Sequence, residues 1–156
     1  MALDDIARTP ATGRHIARKL ATHFVSDSPP QSLINTMAEA FTRHDGALLP
    51  VYEAMLEHPE SWKNFGNKIK QPFDFVVSSL RAAGGEKAVQ WQRREGRLAI
   101  HALRLMNQPL LTAPGPDGWP EEARDWINAQ GLSARLRWAS DVGRAMGRDV
   151  DPRGFM

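Results

Sequence analysis

The stretch GRHIARKLATHF carries an imidazole and two cations, His15, Arg18 and Lys19, within a few residues of one another. At about 100° per residue in a helix, His15, Lys19 and Thr22 share one flank, with Arg18 just beyond. Donors gathered in this way could hold a carboxylate or a phosphate, and the imidazole could serve as a base. Lys70, in KIKQPFDF just ahead of a helix start, is a cation that could join them at an anionic ligand. The competing reading is structural: the cations pair with neighbouring acids and lie along the surface with their stems covering apolar area. Nothing nearby supplies a nucleophile or a phosphate-cradling loop, so the structural reading is preferred and the anion site is the alternative. In the same stretch Asp74 falls in a first helical turn, where a carboxylate complements the helix dipole. Arg81 follows two turns later on the same face, and the two are expected to form a structural ion pair.

Other constellations are weaker. His23 falls almost on the apolar stripe of its helix and reads as a satisfied core histidine. It lies eight residues from His15, too far to share one ion, and no HExxH is present. His44, His58 and His101 are scattered, so no metal is expected. With no cysteine there is no disulfide, cysteine–zinc site or thiol nucleophile. GxSxG, GxGxxG and the P-loop are absent, so neither serine-hydrolase chemistry nor a cofactor is indicated.

The basic run QRREGR, with Arg104, Arg135, Arg137 and Arg144, is interleaved with Glu86, Glu95, Glu121 and Glu122. With a net charge of only +2 and no aromatic stacking platform, it reads as a solvated helix face rather than a nucleic acid surface. No apolar run approaches the roughly 20 residues that span a bilayer. MALDDIARTP has acids where a signal peptide has its basic end, so the chain as written reads as cytoplasmic, although a longer parent could be exported and the compartment stays open.

The elements that must position these residues are helical throughout. Thr9 and Pro10 mark a cap and first position, followed by Ile16, Leu20 and Phe24 in one stripe beside Ala17 and Ala21. Ser28, Pro29 and Gln31 have capping-box spacing ahead of Leu33, Met37, Ala40 and Phe41. Leu48, Val51, Tyr52, Met55 and Leu56 match the amphipathic template, with Pro50 in the first turn. HPESW reads as a short helical turn. Pro72 opens a helix whose inner face is Phe73, Val76, Val77 and Leu80. A long helix is expected from about Lys87 to Asn107, with Trp91, Leu98, Ala102 and Leu105 inward. Pro120 begins PEEARDWINAQ, Gly131 interrupts, and Leu132, Leu136, Ala139, Val142 and Met146 share the last face. The expectation is one compact all-α domain over 1–156, with about seven or eight helices.

QPLLTAPGPDGWP, residues 108–120, is the one clear interruption and the only candidate boundary. It makes a poor flexible linker, because Leu110, Leu111 and Trp119 favour burial. It reads as an ordered wrap. Pro109 ends one helix, Leu110, Leu111 and Trp119 anchor the crossing, Gly115 and Gly118 turn, and Pro120 starts the next helix.

HIARKLATHFV, SPPQSLINTMAEAF, HPESW, KIKQPFDFVVSSLRA and above all QPLLTAPGPDGWP, in this order and spacing, resemble the C-terminal part of a bacterial family known as domain of unknown function 1800. The resemblance runs from about Leu3 to Pro152. The family commonly has an acid at the place of Ala47 and serine or threonine at that of Gln71. Leu111 satisfies its preference for a large residue two positions after Pro109. Members are typically longer at both ends, so the resemblance implies a fragment. It brings a fold and hallmark residues, and no reaction. The resulting expectation is a non-catalytic helical binding or assembly module, its partner being the remainder of the longer protein or another protein. Apolar surface is expected around Leu3, Ile6, Val150 and Phe155, with self-association through those ends.

Overall fold

Prolines and small polar residues set the helix starts largely where the sequence places them. A computed structural model gives the fold and describes residues 2–63, 65–84, 90 and 98–146. Every regular element among them is an α-helix. Residues 1–69 and 70–156 are two compact units. The 108–120 loop lies inside the second and is not the boundary.

The first unit contains α1 (Ala2–Ala7), α2 (Pro10–Phe24), α3 (Gln31–Arg43), α4 (Leu48–Glu57) and the single turn α5 (Glu60–Lys63). Thr9 caps α2, its hydroxyl accepting the Thr12 N–H at 3.3 Å, with Pro10 at the first position. The Thr12 hydroxyl donates to the Ile6 carbonyl at 2.7 Å and ties the end of α1 to the start of α2.

The buried edge of α2 is Gly13, Ala17 and Ala21. Ile16 and Leu20 only flank the core, and Phe24 is exposed. This rotation corrects the expected Ile16–Leu20–Phe24 stripe, and close helix approach explains it. A Cβ on Gly13 would stand 3.0 Å from the Phe41 ring and 3.4 Å from the Ala38 carbonyl, so small residues let α3 seat against α2. The core then fills with Leu33, Ile34, Met37 and Phe41 of α3 and with Val51 and Met55 of α4.

Ser28 does not cap α3. A residue before proline is pushed out of helical geometry, so Pro29 and Pro30 delay the start to Gln31, and no side chain caps it. The HPESW turn forms as expected. Ser61 Oγ donates to the Met55 carbonyl at 2.6 Å and Trp62 Nε1 to that of Leu56 at 2.7 Å, satisfying the end of α4.

The second unit contains α6 (Pro72–Ala82), α7 (Leu98–Leu105), the single turn α8 (Ala123–Trp126) and α9 (Ala129–Met146). Val76, Ala83, Ala102, Leu103, Met106, Ala134, Trp138 and Val142 form its core, flanked by Phe75 and Leu80. Phe73 and Val77, expected inside, are exposed. Of the expected long helix, the segment ahead of Leu98 lies mostly outside the described residues. Its end is a Schellman turn: Asn107 takes φ +64°, and the Gln108 N–H bonds the Leu103 carbonyl at 2.9 Å.

The break expected at Gly131 falls earlier. Asn128 caps α9, its Oδ1 accepting the Gly131 N–H at 2.8 Å, and Gly131 sits in the first turn. The buried face of α9 is Ala134, Arg135, Trp138 and Val142; of the expected set Val142 is inside, Leu132, Leu136 and Ala139 point outward, and the Met146 side chain lies outside the described residues.

Candidate functional site

His15, Arg18 and Lys19 are exposed on α2, and none forms an ion pair among the described residues. Lys70, also exposed, is the first residue of the second unit, so the four expected anion donors do not share one compact unit. His23 is half-buried and packs edge-on against Phe24, ring centroids 4.5 Å apart. Lys68, next to this series, pairs with Asp27 within the first unit. An open groove of about 580 Å³ does lie along α2 and α3, but its polar lining is Arg14, Asn35, Glu39, Thr42 and Arg43. The recess therefore opens on another flank of α2 from the one that carries His15 and Lys19. Asp74 and Arg81 are both exposed, and no bridge joins them among the described residues.

The loop anchors fare unevenly. Trp119 packs at 6.1 Å against the buried Trp126, whose Nε1 donates to the Pro120 carbonyl at 3.0 Å. Gly118 takes φ +90°, and its N–H bonds the Gly115 carbonyl at 3.2 Å. Pro109 is half-buried just after the Schellman turn. Leu111 is no anchor. It is 93% exposed with φ +61°; Leu110 is 45% exposed as well, and Pro120 starts no helix, the next one beginning at Ala123.

The residue that ties the loop to the helices is Gln108, which the sequence did not single out. Its amide is buried; Oε1 accepts the Phe73 N–H at 2.6 Å, and Nε2 donates to Gln71 Oε1 at 3.0 Å. Gln71 Nε2 in turn donates to Glu121 Oε2 at 2.8 Å. Gln71 is the N-cap residue of α6 and makes no side-chain cap bond of its own. The serine or threonine common at this place in the resembling family could cap directly. Here Gln108 meets the orphan N–H from across the unit, and the departure at Gln71 is the one signal that could have pointed to it.

Arg135 was grouped with a solvated basic face, and the structure buries it to 8% exposure. One Nη donates to the Lys70 carbonyl at 2.7 Å, and the guanidinium lies 4.9 Å over the Phe75 ring. Nε has no partner, and no carboxylate pairs with it among the described residues. Burial pushes its pKa below the ordinary value, although a guanidinium stays charged at neutral pH. Beside it, Leu132, Leu136, Ala139 and Gly143 run along the exposed side of α9. Their spacing of four, three and four residues is that of a heptad seam. The cleft between α7 and α9 holds about 60 Å³, well short of the roughly 300 Å³ at which small-molecule pockets begin.

Residues 1–153 match the family described as protein of unknown function, DUF1800. The chain belongs to the DUF1800 family. No curated protein and no solved structure matches it. In this DUF1800 chain, the described residues include no group of three metal-ligating side chains and no helix long and apolar enough to cross a membrane. The two most specific stretches of the resemblance lie in different units: the HIARKL helix in the first and the QPLLTAPGPDGWP loop in the second.

Proposed function

We propose that the chain is a helical binding and assembly module that acts through protein contact and carries no catalytic site of its own. Large apolar side chains exposed on ordered helices carry this reading: Leu48, Leu49 and Leu56 on α4, and Leu132 and Leu136 on α9. Scattered exposed leucines are ordinary, but series along single helix faces mark contact surface. Ile6, at an end where apolar surface is expected, is exposed as well. Leu3, Val150 and Phe155 lie outside the residues whose side chains are described. The partner is a protein, either a flanking segment of the same polypeptide or a separate chain.

Light scattering of the purified chain over a concentration series tests the reading, together with binding of a hydrophobic dye. Association that grows with concentration, with dye bound by the native protein, is expected. A monodisperse monomer at high concentration with no dye bound would overturn it.

A further inference from the structure

We infer that the groove between α2 and α3 binds a short peptide that carries one ammonium, at a free amino end, and two carboxylates. The site shares no residue with the leucine faces behind the assembly reading, so each stands without the other. The groove follows from the way the helices meet. Gly13, Ala17 and Ala21 let α2 approach α3 closely, and longer side chains rise as walls beside that line of contact. Pro10 and Arg14, one turn apart, form the α2 wall; Asn35, Glu39 and Arg43, at steps of four, form the α3 wall over the buried Ala38. The space between them, about 580 Å³, falls in the range of small-ligand clefts, roughly 300–1,000 Å³.

Charge selects the ligand. Arg14, Glu39 and Arg43 are all exposed, and none forms an ion pair among the described residues. Each guanidinium presents a planar fork that matches a carboxylate. Glu39 stands one helical turn, about 6 Å of rise, from Arg43 and lines the same recess. An inorganic phosphate or a run of acids would meet Glu39 as a like charge, and an apolar helix would cover all three charges unpaired. A ligand with two carboxylates and one ammonium satisfies the two arginines and the glutamate together. Two further groups suit a peptide bond. Asn35 Oδ1 accepts from Gln31 Nε2 at 2.8 Å, which leaves its amide N–H groups for a ligand carbonyl. Thr42 Oγ donates to the Ala38 carbonyl at 3.0 Å and keeps its lone pairs for a ligand N–H.

NMR titration of the isotope-labelled full chain at low salt tests this with alanyl-glutamate, its N-acetyl derivative, alanyl-glutamine, free glutamate and inorganic phosphate. Alanyl-glutamate should bind tightest, with amide shifts along Arg14, Asn35 and Glu39. Loss of its ammonium or of one carboxylate should each weaken binding about three- to fivefold, the scale of one exposed ion pair. Arg14→Gln with Arg43→Gln, on exposed positions where the fold persists, should remove the preference for alanyl-glutamate over alanyl-glutamine. Glu39→Gln should let the N-acetyl derivative bind as well as its parent, and His15→Ala should change nothing. Equal binding of all the probes, binding indifferent to these groove variants, or no shift at millimolar concentrations would overturn the inference. Free glutamate binding as tightly as the dipeptide would overturn it in favour of an amino acid, and phosphate binding tightest in favour of a simple anion. None of these results bears on concentration-dependent association, which tests the assembly reading separately.

Discussion

The same substitution at two places in one helix should have opposite signs. Gly131 and Gly143 both lie in α9, and helix propensity alone favours alanine over glycine at an interior position by about 1 kcal/mol. At Gly143 nothing stands within 4 Å of an added Cβ, so that gain is free to appear. At Gly131 the Cβ would come within 2.4 Å of the Trp126 carbonyl oxygen and 3.3 Å of Asn128 Oδ1, the atom that caps the helix. The obstacle is backbone and cannot swing aside as a side chain would. Either α9 shifts outward or the Trp126–Asn128 segment does, and forced overpacking of this kind costs about 1–3 kcal/mol. Loosening the Asn128 cap adds about 1 kcal/mol more. Gly131→Ala should therefore lose about 1–3 kcal/mol after the propensity gain is subtracted, while Gly143→Ala gains up to about 1. In a domain of this size 1 kcal/mol moves Tm by about 2–4 °C. Thermal melts followed by circular dichroism should place the two variants on opposite sides of the wild type. If Gly131→Ala melts as high as Gly143→Ala, the tight turn into α9 is not what holds that position, and the account of the helix start is wrong.

Gln108→Leu should cost about 1–3 kcal/mol by leaving the Phe73 N–H unsatisfied, and Gln71→Ser added to it should recover part of the loss in urea denaturation. Arg135→Met should hold stability within about 1 kcal/mol of wild type or raise it, because an uncompensated buried charge is removed; Arg135→Ala, which also deletes the stem over Phe75, should fall about 2 kcal/mol below the methionine variant in the same titration. Leu111→Gly should raise stability by up to about 1 kcal/mol by relieving a left-handed leucine that packs on nothing, with Tm as the readout. Under the assembly reading, phosphate should shift Tm no more in wild type than in His15→Ala or Lys19→Ala; a stabilisation lost in both variants would favour the anion site.

The helices were legible because their signals are local. Thr9 with Pro10, Pro50 in a first turn, Pro72 and the HPESW turn each act through a few neighbouring residues, and each sits where its chemistry requires. Three starts were misplaced: Pro120 was expected to open the helix that begins at Ala123, and at the other two local signals competed. At α3 the two prolines overrode Ser28, and at α9 the Asn128 cap overrode Gly131 as a breaker. Gln108 escaped notice for a different reason. Its partners Gln71 and Phe73 lie more than thirty residues away, and no short-range pattern announces a glutamine that caps another helix.

Which face of each helix is buried was harder, and the errors share a cause. Apolar residues on α9 include Leu132, Ala134, Leu136, Trp138, Ala139 and Val142, an arc too wide for one neighbour to cover. Periodicity ranks such an arc by size and picks the leucines. The fold chose the side where Trp138 reaches Ser79 Oγ at 2.8 Å and where Arg135 can ride on Phe75. Similarly on α2, close approach at Gly13 outweighed the larger Ile16, Leu20 and Phe24. A helix whose apolar arc exceeds what its own unit covers has surface left over, and on α9 the leftover is Leu132, Leu136 and Ala139. Because Leu136 is 65% exposed on that surplus, Leu136→Glu should leave Tm close to wild type, and a large loss would mean that the outward face is packed after all.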